Sequence, residues 1–104
     1  MEIMINTKLP VRKIRIILTK HCKSRAFERY VTTQEISKVI NNPTQTIYDD
    51  ERQNYKSYRK SENPSYKDQP YLIVIHNKIN TSVKIITVMW TDKGGLKIIG
   101  FNKI

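Results

Sequence analysis

Cysteine is nearly absent: the 104-residue chain holds one, Cys22. A lone thiol closes no internal disulfide, so the fold must be held by packing, and a reducing compartment is the simpler expectation. Glycine is scarce, at three residues, and builds no phosphate-cradling loop; Gly94–Gly95 reads as a turn, and no G-x-S-x-G occurs. One Cys and two His, with no Asp or Glu at ligand spacing around them, fall short of a zinc set. No metal or other cofactor is expected. Long apolar runs are missing too. The stretch Ile14–Leu18 is broken by Arg15 and is too short to span a membrane. No export signal is visible, so the expected location is the cytoplasm, away from membranes.

Negative charge is the other scarcity. Nine Asp and Glu stand against 19 Lys and Arg, a net charge of +10. A field of that sign concentrates polyanions at the surface and speeds their association. It also keeps a small protein soluble. The partners it fits are nucleic acid or an acidic protein that masks the basic surface. The length corresponds to a single domain, residues 1–104, and no repeat or linker divides it.

The hydrophobic pattern sets the order of elements. Val11–Leu18 alternates and reads as a short N-terminal strand, blurred by Ile17. Thr19 caps a helix running to about Tyr30, with Cys22, Ala26 and Tyr30 as its apolar stripe. Thr32 and Glu35 have capping-box spacing and open a second helix, which Asn41-Asn42-Pro43 ends. From Thr44 the period changes to two. Thr44–Tyr48 and Asn54–Lys60 read as strands joined by an acidic turn, and Ser61–Gln69 as a loop. Tyr71–His76 and Ser82–Trp90 form a predicted hairpin through Asn77–Asn80. Asp92–Gly95 is a turn and Leu96–Phe101 a last strand. The predicted class is α+β: two N-terminal helices covering one face of a curved antiparallel β-sheet.

Chemistry concentrates on the first helix. His21, Arg25 and Arg29 follow one another at i, i+4, drifting only about 40° per step and spaced roughly 6 Å along the axis. Arginines at that spacing gain nothing from each other and are placed to serve a phosphate ligand. The same spacing describes an ordinary solvated face on which Glu28 pairs with them. Histidine is the side chain whose chemistry best suits proton transfer at cellular pH. His76 reads as the solvent-facing end of a strand. The strand Asn54–Lys60 puts Lys56, Tyr58 and Lys60 on one face and Tyr55, Ser57 and Arg59 on the other. Cations interleaved with rings suit RNA, and equally a soluble edge strand. Thr87 interrupts an apolar face of Val83, Ile85 and Met89, with Trp90 opposite.

Together, "TKHCKSRAFERYVTTQEISKVINNP" and the later "KIITVMW" resemble small domains of the RelE-like, barnase–EndoU–colicin–RelE superfamily, with BrnT-type toxins as relatives. The likeness runs from about Leu18 to Trp90. It implies two helices on a curved antiparallel sheet and a metal-independent endoribonuclease, a toxin held by a protein antitoxin. By position, His21, Arg25 and Arg29 match the helix motif, and Thr87 the hydroxyl of the late strand. Tyr58 or Lys56 supplies a second proton-transfer group in this scheme. Lys20, Lys23, Lys56, Arg59 and Lys60 complete the expected RNA contacts. The extra segment "GGLKIIGFNKI" departs from the pattern. Two other functions fit the same residues: a non-catalytic nucleic-acid-binding module, and a phage or mobile-element protein that binds and inhibits a host protein.

Overall fold

Helix boundaries follow capping chemistry. A computed structural model describes residues 15–79 and 81–104. Strand β1 (Arg15–Leu18) hands over to α1 (Lys20–Glu28) at Thr19, whose Oγ1 accepts the Cys22 N–H at 3.0 Å. The capping box of α2 (Thr33–Asn41) is complete. Thr32 Oγ1 accepts the Glu35 N–H at 3.2 Å, and Glu35 Oε1 accepts the Thr32 N–H at 3.0 Å. Strands β2 (Gln45–Asp49) and β3 (Asn54–Lys60) flank the acidic turn, where Asp49 Oδ1 accepts the N–H groups of Glu51 and Arg52. Strands β4 (Tyr71–Ile79) and β5 (Ser82–Thr91) form a longer hairpin than predicted, paired out to Ile79 and Ser82. Asn77 and Lys78, expected in the turn, lie in strand.

Among the described residues the sheet has five strands in the order β1–β5–β4–β3–β2. It is mixed, not wholly antiparallel: β1 runs parallel to β5, with Leu18 opposite Ile85. A parallel neighbour needs a long crossover, and everything from α1 to β4 supplies one. The first four residues of the predicted N-terminal strand, 11–14, lie outside the described residues.

The class is α+β, with a layer on each sheet face. Helix α1 packs on β5, and α2 on β3 and β4. Cys22, Ala26, Val31, Ile36 and Val39 meet Leu72, Val74, Ile85, Val88 and Trp90 in the larger core. On the opposite face Tyr58, Ile73, Leu96 and Phe101 form a second core with Ile47, Ile75 and Met89.

Two expectations are corrected. The last strand, Leu96–Phe101, is instead helix α3 (Lys93–Ile99) and its exit. Asp92 Oδ1 accepts the Gly95 N–H at 2.8 Å and caps it. A Cβ at Gly95 would lie 1.8 Å from Thr91 Oγ1, so only glycine passes there. Gly100, at φ +123°, closes the helix; the Phe101 N–H reaches back to the Leu96 carbonyl, and the two side chains share a core. That is the Schellman ending, with glycine where a Cβ is disfavoured.

The second correction concerns β5. The register slips between Ile75 and His76, which pair with Thr87 and Ile85. Ile86 is therefore an extra residue, a bulge that reverses the alternation. Val83 and Ile85 face the helices with Val88 and Trp90, while Met89 faces α3. Strict alternation had put Ile85 and Met89 on one face and Trp90 on the other.

The helical reading of residues 93–99 separates two neighbours. Leu96 is fully buried and Ile98 is 87% exposed, whereas a strand would put both on one face. Leu96→Ala is expected to cost about 2–4 kcal/mol in urea unfolding, and Ile98→Ala under ~0.5 kcal/mol. Equal losses would contradict the helix.

Candidate nucleic-acid interface

Helix α1 turns its apolar stripe inward through Cys22 and Ala26, and burial pushes the Cys22 thiol up from its ordinary value. The outward face then carries Lys20, His21 and Lys23, all exposed. The i, i+4 series is not uniform, because its slow rotation carries it from solvent toward the sheet. His21 is exposed. Arg25 is half-buried and lies 3.2 Å from Glu28, a surface ion pair of small worth. Arg29, just past the helix, is tied to the sheet. Past Ile85 no β1 residue flanks β5, and there Arg29 Nη1 donates to the Val88 carbonyl at 2.5 Å. Trp90 Nε1 donates back to the Arg29 carbonyl at 2.8 Å.

The sheet separates this ridge from three residues expected to work with it. Tyr58 is 2% exposed in the α3-side core, its ring 4.7 Å from Phe101 and its hydroxyl donating to the Lys103 carbonyl. Burial pushes its pKa up. Thr87 follows the bulge and faces the same way as Met89. Lys56 is on that side too, 3.0 Å from Asp49, and this pairing holds the Asp49 carboxyl below its ordinary value. His21, Tyr58 and Thr87 thus share no surface.

Arg59 lies on the helix side, at a cleft of ≈380 Å³ between α2, the end of β3 and the following loop, while Lys60, opposite Tyr71, borders the cleft from the strand position that alternates to the α3 side. Arg59 Nη1 donates to the Asn42 carbonyl at 3.0 Å, and Lys60 is exposed. Ser61 Oγ donates to Glu35 Oε2 at 3.2 Å, and Lys38 stands 3.8 Å from Glu62. Tyr30 forms another part of the lining.

Sequence reasoning missed one cluster. His76 is half-buried inside β4, not a strand end. Its Nε2 is 2.7 Å from the Oγ of Ser57, itself 1% exposed, and Thr46 Oγ1 lies 2.7 Å beyond. Tyr55 stacks on the imidazole at 5.8 Å, and Tyr48 packs on Tyr55 at 4.8 Å. The signal was the register: Tyr55 pairs with His76, and Tyr48 with Tyr55, across three strands. Among the described residues, no three of His, Cys, Asp and Glu converge as a metal ion would require. No helix among them is long and apolar enough to cross a membrane.

Residues 18–90 match the family described as Domain of unknown function (DUF4258). That is well over half of the chain, and the chain belongs to this family. No curated protein and no solved structure gives a significant match.

Burial pushes His76 below its ordinary value of 6.5. Between the lowered folded value and 6.5 the unfolded chain binds more protons, so stability rises with pH there. Stability from this group is complete above 6.5 and lost as pH falls through the folded value. Urea unfolding of wild type is therefore expected to weaken as pH drops below about 6.5, and His76→Gln to remove that slope. Asp49 acts lower, below its ordinary 3.8. A wild-type profile that stays flat below 6.5 would contradict the burial of His76.

Proposed function

We propose that this protein binds single-stranded RNA along the outer face of α1. One observation carries the reading. The helix anchors itself by Cys22, Ala26 and Arg29 and leaves Lys20, Lys23 and the half-buried Arg25 facing outward, with Glu28 as the one carboxylate of the helix. On a chain of net charge +10, such a face attracts phosphates and holds them by released counterions. The likeness to RelE-like domains supports the same substrate. Two helices on one face of a sheet is the arrangement it implies, with α3 and the parallel β1 as departures. A cytoplasmic location, and an acidic antitoxin segment that covers the α1 face, belong to this proposal.

Cleavage is a second reading, favoured by the exposed His21 one turn from Arg25. RNA carries its own nucleophile, so no metal is required. Neutral His21 takes the 2′-OH proton, the 2′-oxygen attacks phosphorus, and Arg25 stabilises the charge on the pentacoordinate phosphate. The bond to the 5′-oxygen breaks, that oxygen takes a proton from water, and a 2′,3′-cyclic phosphate and a 5′-hydroxyl remain. Arg29 acts as a positioning residue that fixes the helix.

Replacing Lys20, Lys23 and Arg25 together by Ala is expected to weaken RNA binding at low salt. It should also flatten the dependence of log K on log salt by about 2, from roughly 0.7 per phosphate contact. Fluorescence anisotropy across a salt series checks this; an unchanged slope contradicts the α1 interface. For cleavage, labelled total RNA is incubated in EDTA with wild type and with His21→Ala. A loss of about a hundredfold or more is expected. Equal cleavage by both would remove His21 from the site, and no cleavage by wild type would leave the binding reading alone.

A further inference from the structure

Helices α1 and α3 end in the same motif but with different residues at its critical position. At α3 the Phe101 N–H returns to the Leu96 carbonyl, and Gly100 takes the positive φ. At α1 the Val31 N–H returns to the Ala26 carbonyl at 2.8 Å, the Tyr30 N–H donates to the Phe27 carbonyl at 3.4 Å, and Tyr30 takes φ +55°. Glycine holds this conformation without strain. A bulky aromatic residue there is an outlier. Its side chain offers the fold little in return, since Tyr30 is 70% exposed.

The surroundings of Tyr30 show what the ring is placed to do. It lines the ≈380 Å³ cleft, near the lower end of the range for small-molecule sites, about 300–1,000 Å³. Tyr66, itself exposed, stands edge-on to it at 6.5 Å. Ser65 Oγ donates to the Tyr30 carbonyl at 2.7 Å and holds the loop against it. Lys38 and Arg59 supply positive charge, Ser61 and Asn63 donors and acceptors. The carboxylates are partly engaged: Glu35 by the capping box and Ser61, Glu62 by Lys38. A near-balanced lining of this kind suits the edge of a base better than a bare phosphate. The cleft opens at the C-terminal end of α1, where a strand tracking the cationic face would arrive.

We propose that this cleft is a subsite for one unstacked nucleobase of single-stranded RNA, stacked on Tyr30 and flanked by Tyr66. This deepens the RNA-binding reading and rests on it. Rings that stack on splayed bases are the usual means by which proteins read single strands.

The test exploits the backbone. Tyr30→Gly removes the ring and relieves the conformation, so its melting temperature should match or exceed that of wild type. Its affinity for a short fluorescein-labelled single-stranded oligoribonucleotide at low salt should nevertheless fall about tenfold. Tyr30→Phe should bind as wild type does, and Tyr66→Ala should be weakened. If Tyr30→Gly binds like wild type while the Lys20, Lys23 and Arg25 variant loses affinity, the subsite is wrong and the α1 interface stands. If wild type does not bind the oligoribonucleotide, both fall. A destabilised Tyr30→Gly would show that the ring serves the fold, and would overturn the premise.

Discussion

The reciprocal tie between Arg29 and β5 is the constraint on which the helix layer depends. The guanidinium donates to the Val88 carbonyl, and the Trp90 indole donates to the Arg29 carbonyl. Each bond satisfies a polar group that half-burial would otherwise leave costly. The pair fixes where α1 ends, and so which way its surface faces. Cys22 and Ala26 are held down on β5, and Lys20, His21 and Lys23 are held up. Tyr30, the next residue, is delivered to the cleft. One side chain of the His–Arg–Arg series is thus structural, which leaves two for a ligand.

The sheet acts as a partition. Its helix side bears the α1 face, the cleft and the His76–Ser57–Thr46 chain. Its α3 side bears Tyr58, packed under Phe101, and Lys56, paired with Asp49. A mechanism that joins His21 to Tyr58 would have to reach through the sheet, from one core to the other. The electrostatic argument needs no such reach, because phosphate binding uses charges displayed on a single surface.

Much of the fold was legible where one local rule acts alone. Thr19, Thr32 and Glu35 announced both N-terminal helices, and β3 was read to the residue with its faces in the right order. The failures share a cause: a local signal was outweighed by something distant. The bulge at Ile86 reverses the faces of β5, and nothing in "VKIITVMW" marks it, since both phases are apolar. Leu96–Ile99 alternates weakly enough to pass for strand, yet Asp92 and Gly100 are a cap and a stop in plain view. The parallel partner of β5 is set by a pairing across more than sixty residues, beyond any window. In the candidate site the exposed charges of α1 were readable. The role of Arg29, the strain at Tyr30 and the burial of His76 were not, because each depends on what lies opposite in space.

The most direct measurement is amide chemical-shift mapping of isotope-labelled protein titrated with a single-stranded oligoribonucleotide. Shifts concentrated in Lys20–Tyr30 and around Lys60–Ser65, with α3 silent, are the predicted result. Shifts confined to α3 and the residues over Tyr58, or none at saturating RNA, would contradict an RNA interface on the helix side of the sheet.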